Sequence, residues 1–283
     1  MKTLFRILSL ISAFLLLSGE PPRNKELPRY YLGFDKNVFP GEEALTSLRK
    51  TFSFAGYWLN HPPTEAPDTW LGKRKLLQEK GFGFLVLFNG RFYKELTAPN
   101  DPNVLGMQDA FLASETARRE GFPPGTVIFL DIEEGGRLLS EQRVYVHAWI
   151  DGVNISGFHA GIYCSGMPVT EASGDVVITA QDIRDHAGNR QIVFWVYNDA
   201  CPPSPGCAFA KKVPAPSESG VAFVDVWQFA QSPKRKDMAL SCPNNHAADG
   251  NCYAPAVAGL PSIFVDLDTA TSPDPSRGRG PSE

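Results

Sequence analysis

The sequence predicts an α/β protein folded as an irregular (β/α)₈ barrel. Three observations carry this reading. Eight short apolar runs punctuate the chain, helical patterns separate most of them, and polar residues recur at the ends of successive runs. Continuous apolar, β-branched runs suit strands buried on both faces, as a parallel sheet requires. The last two units lack a clear helix, so the barrel is expected to be irregular on that side. A doubly wound open sheet is the competing arrangement, but no Gly-rich phosphate loop follows any run.

The first strand, Tyr30–Asp35, ends in an acid. A helical stretch over Gly41–Lys50 precedes the second strand, Phe52–Leu59. Trp70–Lys80 has a helical pattern and leads to the third strand, Phe82–Phe88, with Asn89, Gly90 and Arg91 at its end. A helix from Val104 to Glu120 is stopped by Gly121 and Pro123. The run from Thr126 is the fourth strand. The helix Ser140–Ile155 then leads to the fifth, Phe158–Ser165, and a less regular helix, Asp175–Ala187, to the sixth, Gln191–Asn198. Gly220–Phe229 is the seventh strand and Ser262–Asp268 the eighth. The barrel domain is thus expected over 30–271, and the Pro/Ser/Gly-rich residues 272–283 as a disordered tail.

Composition narrows the class. Over 283 residues, 43% hydrophobic and 20% charged content is that of a globular protein. Lys2 and Arg6 precede an apolar run, Ile7–Leu17, followed by small residues. Residues 1–19 therefore read as a signal peptide and 20–29 as a linker, which implies export to a secreted or periplasmic location. The run is short for a transmembrane helix, so no stable span is expected after cleavage. The formal charge of −4 becomes about −6 without Lys2 and Arg6, with 25 basic against 31 acidic residues. No basic cluster is interleaved with aromatics, and Lys234-Arg235-Lys236 is too short for a nucleic-acid footprint. Cys201 with Cys207, and Cys242 with Cys252, bracket two polar loops and are expected to form local disulfides. Cys164 falls in an apolar strand pattern and is expected as a buried free thiol. A zinc site is the weaker rival, because no C-x-x-C occurs.

The chemistry gathers where the fourth strand ends, in Asp131-Ile-Glu133-Glu134-Gly-Gly136. Two residues apart on a strand, Asp131 and Glu133 point to one side. Like charge and partial desolvation would raise one pKa and leave the other carboxylate ionised, as acid-catalysed glycoside cleavage requires. Asp35, Asn89, Tyr163, Asn198, Gln228 and Asp266 also lie at strand ends, which converge on one mouth in a barrel. Glu133 is expected as the acid, with Asp131 held ionised by backbone N–H groups or a cation such as Arg91.

These motifs, in this order, resemble the family-25 glycoside hydrolases, the lysozyme-type muramidases. They resemble more closely the exported bacterial glycoside-hydrolase-like domain related to that family. The likeness runs from Tyr31 to Thr269 through Gly33-Phe34-Asp35, Asp131-x-Glu133, Gly161-Ile162-Tyr163, Phe194-Trp195-Val196, Trp227-Gln228-Phe229 and Val265-Asp266-Leu267. It implies that Glu133 protonates the leaving oxygen, that Asp131 assists at the sugar, that Asp35 and Asp266 complete the acidic set, and that peptidoglycan is the substrate. Lys36-Asn37 and the extra Glu134-Gly-Gly136 depart from the muramidase pattern.

Tyr163, Trp227, Gln228, Trp195 and Asn89 are the expected substrate contacts, with Trp58 and Tyr197 as further stacking candidates. His159 is expected in the core and His147 on a helix. No G-x-S-x-G supports a Ser nucleophile, and no metal or cofactor is expected. Two alternatives remain at this level: a non-catalytic glycan-binding module on the same barrel, or a hydrolase of another extracellular polysaccharide.

Overall fold

A computed structural model of the chain describes residues 30–63, 68–199, 213–230, 252–253 and 264–280. In chain order the elements are β1 (Tyr31–Asp35), α1 (Glu42–Leu48), β2 (Phe54–Trp58), α2 (Arg74–Glu79) and β3 (Gly83–Asn89). Next come α3 (Tyr93–Leu96), α4 (Pro102–Arg119), β4 (Val127–Asp131), α5 (Ser140–Ile155) and β5 (His159–Ser165). A small antiparallel hairpin, β6 (Pro168–Thr170) and β7 (Val176–Ile178), precedes α6 (Thr179–His186) and β8 (Val193–Tyr197). After a 3₁₀ turn at Pro216–Ser219 come β9 (Val226–Ala230), β10 (Cys252–Tyr253) and β11 (Phe264–Ala270).

Eight of these strands close a barrel in the order β1-β2-β3-β4-β5-β8-β9-β11, sealed by β1 against β11. Seven run parallel. The eighth, expected as another parallel strand, is antiparallel to both β1 and β9. A parallel return needs a crossover from the far end of the sheet. The chain between β9 and β11 supplied no helical pattern for one, and β11 comes back down from the mouth.

Local chemistry accounts for the helices. The Asp101 carboxylate accepts from the backbone N–H groups of Asn103 and Val104, and Pro102 occupies the first turn of α4, where its missing donor costs nothing. Helices α4 and α5 approach closely because their facing residues are small. A Cβ on Gly106 would lie 2.5 Å from the Tyr145 carbonyl oxygen, and one on Gly152 2.7 Å from Ala110 Cβ.

Aromatic rings fill the barrel, and glycines leave room for them. A Cβ on Gly33 would fall on the Phe54 ring at 1.9 Å, and one on Gly161 within 2.5 Å of the Phe129 ring. Trp195 lies edge-on to Phe129, with centroids 5.7 Å apart, and to Tyr163, at 4.6 Å. This layer is the floor on which the mouth residues stand.

The C-terminal stretch departs from expectation. Residues 272–280 do not form a disordered tail but pack under the barrel. Asp274 Oδ1 accepts from the Phe84 N–H at 2.9 Å, and Ser276 Oγ from the Val86 N–H at 2.8 Å. The Ser276 backbone bonds Phe84 and Val127, and its side chain is fully buried. These contacts satisfy backbone groups at the lower ends of β3 and β4 that would otherwise be buried unpaired.

Cys164 is a buried free thiol, as expected. Cys201, Cys207 and Cys242, the Cys252 side chain, and residues 1–29 lie outside the described residues. His159, expected in the core, is exposed at the lower end of β5. Among the described residues no helix is long and apolar enough to cross a membrane.

Candidate functional site

The upper ends of the parallel strands bring most of the expected residues into one buried polar layer. Gln228 of β9 links two of its sides: its Oε1 accepts from the Tyr163 hydroxyl at 2.7 Å, and its Nε2 donates to Asp35 Oδ2 at 2.6 Å. Asp266 stands opposite Asp35 across the β1–β11 ladder. It is half-buried, and its charge acts on Tyr163. Because β11 is antiparallel, Asp266 reaches the mouth from the start of its strand, not from the end.

Asp131 and Glu133 meet, but not as two residues of one strand. β4 ends at Asp131, and Glu133 lies in the loop beyond it, where the Ile132 N–H donates to the Tyr163 carbonyl at 2.9 Å. Glu133 is exposed as a residue, while its carboxyl turns onto Asp131 in a hydrogen bond. Asp131 is 2% exposed. Burial, then the charge of Glu133, then that of Asp35, push its carboxyl well above the usual range. Burial also raises Glu133, but its hydrogen bond from Asp131 opposes the rise. Within the pair, burial therefore favours the proton on the inner carboxyl, Asp131. This reverses the expected order, because the inner carboxyl is the more desolvated of the two.

Arg91 does not stabilise Asp131. Its guanidinium grips Asp109 of α4 with two bonds, of 2.6 and 2.8 Å, and the Tyr145 hydroxyl completes that carboxylate at 2.8 Å. Arg91→Ala should leave Asp109 charged and buried, and destabilise the fold by about 3 kcal/mol. Chemical denaturation would show this; an unchanged midpoint would mean that the pair contributes nothing.

The remaining expected contacts divide. Tyr163 and Gln228 belong to the polar layer. Asn89 is level with Asp131 across β3–β4, and its backbone N–H donates to Asn60 Oδ1 at 2.7 Å. Trp195 is part of the buried floor. Trp227, next to Gln228 along β9, points to the other face, and its indole N–H donates to the Asn198 carbonyl at 3.0 Å. Strand alternation removes it from the mouth. Trp58 and Tyr197 are better placed. Gly56 faces Asp35, with a built Cβ 2.7 Å from that of Asp35, and Trp58 continues the same face of β2. The Trp58 ring is buried and, among the described residues, its indole N–H has no hydrogen-bond partner. Glu134, which read as an extra acid on a flexible turn, instead ties the loop down. Its Oε2 accepts from the Tyr93 N–H and Gln142 Nε2, both at 2.7 Å. Gly136, at φ 94°, donates its N–H to Thr179 Oγ1.

Asp268 was missed. It stands opposite Gly33, one step below Asp266 on the same face, is 0% exposed, and meets Asp35 in a carboxyl–carboxyl hydrogen bond. The signal was present in the spacing Asp266-x-Asp268, which repeats that of Asp131-x-Glu133. Among the described residues no group of three or more His, Cys, Asp or Glu is arranged to hold a metal ion.

No protein-family model matches the chain, and no curated protein matches it in sequence. Among solved structures, an uncharacterized protein of B. stearothermophilus superposes with a TM-score of 0.51 at 18% identity, over 85% of this chain and 95% of that one. The catalytic domain of endolysin ply40, from bacteriophage P40 of Listeria monocytogenes, gives 0.49 at 15% identity, over 89% and 98%. The Clostridium perfringens spore cortex lytic enzyme SleM gives 0.49 at 14% identity, over 87% and 69%. At such identities the likeness is one of fold, and the B. stearothermophilus protein carries it.

Proposed function

We propose that the chain is an exported glycoside hydrolase that cleaves peptidoglycan or a related cell-wall glycan, with Glu133 as general acid. The observation that carries this is the Asp131–Glu133 pair at the upper end of the barrel, a buried acid beside an exposed one, set beside a second carboxyl pair and a ring of polar groups. A pair of carboxyls in hydrogen-bond contact is closer than the ~5–5.5 Å or ~6.5–9.5 Å that flank a glycosidic bond in two-carboxylate mechanisms. The two thus act as one acid. The attacking group comes from elsewhere: Asp35, Asp266 or the substrate's own N-acetyl group.

A sugar seated over the mouth excludes water from Glu133, the exposed member, and raises its pKa. The proton then passes along the existing hydrogen bond from Asp131 to Glu133, which gives it to the leaving oxygen. Asp131, now ionised, faces the positive charge developing on the ring. The spacing of motifs along the chain favours peptidoglycan through the muramidase resemblance.

The test is digestion of purified peptidoglycan by the protein lacking residues 1–19, read by mass spectrometry beside the Glu133→Gln variant. New reducing ends from the wild type alone support the reading. Binding without products from either protein would leave a glycan-binding module.

A further inference from the structure

We infer that Asp268 is a positioning residue: a neutral carboxylic acid, buried under the mouth, whose proton holds Asp35 and through it the Gln228–Tyr163 arm of the site. The inference deepens the hydrolase reading and rests on it for its kinetic part only.

Hydrogen-bond supply decides the assignment. Asp268 Oδ1 accepts from the Trp195 indole N–H at 3.1 Å. Its Oδ2 is buried, and among the described residues no donor reaches it. A second carboxyl, Asp35, is in contact with it, and Asp35 Oδ2 already accepts from Gln228. Two carboxylates cannot both stay ionised in contact inside a protein, and the bare oxygen must carry the proton. Gln228 Nε2 is thereby fixed toward Asp35, which turns Oε1 toward Tyr163 and commits the tyrosine proton to it. Removing the Asp268 proton would set two charges against each other and release this arm.

Among the described residues, the groups that face the pair are Lys36, just past the end of β1, Asp266 on β11, Asp131 and Glu133 at β4, and Tyr163 on β5. Among the described residues, Lys36 is the cation that opposes this accumulation of negative charge. Burial pushes Asp35 up to about 6 and Asp268 well above the usual carboxyl range. The folded state holds these protons more tightly than the unfolded state. The pair therefore adds stability at acid pH that is lost as pH rises through the folded values.

Asp268→Asn and Asp268→Leu separate the possibilities. Asn donates an N–H to Asp35 without titrating; Leu fills the space and donates nothing. Wild-type Tm should fall as pH rises above the ordinary carboxyl range, and Asp268→Asn should flatten that fall. The infrared carboxylic-acid carbonyl absorption at pH 7 should lose the share due to Asp268 in Asp268→Asn, leaving that of the Asp131–Glu133 pair. If the protein cleaves glycan, Asp268→Asn should keep turnover within a few-fold and extend it to higher pH, while Asp268→Leu loses at least 100-fold. Parallel Tm–pH curves for wild type and Asp268→Asn, with the infrared band unchanged, would overturn the inference. Loss of turnover in Asp268→Asn equal to that in Asp268→Leu would overturn the positioning role and leave the hydrolase reading intact. If the wild type cleaves nothing, the melting and infrared results still decide for or against the neutral acid.

Discussion

Glu133→Gln should abolish glycan turnover while leaving glycan binding and the fold in place. The amide keeps the size of the side chain and its contact with Asp131, but it has no proton to give to a leaving oxygen. Positioned general acids contribute about 10²–10⁴-fold, which corresponds to roughly 3–5 kcal/mol of transition-state stabilisation. The loss should fall on kcat, because substrate contacts are kept. Asp131→Asn should also slow the reaction, by a different route: a neutral amide cannot become the carboxylate that faces the charged ring. Both acids of the pair are held above their ordinary values by burial. The loss of activity on the alkaline side should accordingly set in above the usual carboxylate range. Single-turnover rates across pH, beside a binding isotherm for each variant, check the set. A Glu133→Gln protein that still cleaves at the wild-type rate would remove Glu133 from the chemistry.

Deleting residues 272–283 should cost about 4 kcal/mol or more. The cut removes the partners of the Phe84 and Val86 N–H groups, the bond from the Ser276 N–H to the Phe84 carbonyl, and the Ser276 carbonyl that receives the Val127 N–H. Each buried backbone group left unpaired costs on the order of 1–3 kcal/mol. For a domain of this size that lowers Tm by roughly 10 °C. Differential scanning calorimetry of the truncated and complete chains measures it. Equal melting temperatures would mean that water replaces the segment at no cost. The segment is closely fitted: a Cβ on Gly83 would lie 2.0 Å from the Pro273 carbonyl oxygen, so Gly83→Ala should reproduce part of the loss by displacing it.

Much of this was legible in the sequence. Apolar, β-branched runs of strand length, separated by helical patterns, specify buried parallel strands, since no other element hides such runs on both faces. The closed eight-stranded barrel follows from their number. The two-residue period of a strand likewise places Asp35, Tyr163 and Gln228 toward one interior once their strands are known. What sequence could not supply was direction, partners and the opposite end of the barrel. The eighth strand has the same composition whether it runs up or down; the missing crossover made it antiparallel, and that brought Asp268 beneath Asp35. Arg91 reads as a cation beside Asp131, yet only packing of α4 and α5 gives it Asp109 instead. Trp195 and Trp227 read as stacking platforms, and only the faces of β8 and β9 assign them to the floor and to the outer layer. Composition marked 272–283 as a disordered tail, because a segment poor in apolar residues buries little by itself; of these, 272–280 are described. It is ordered by the unpaired backbone groups of β3 and β4, which exist only once the barrel has formed.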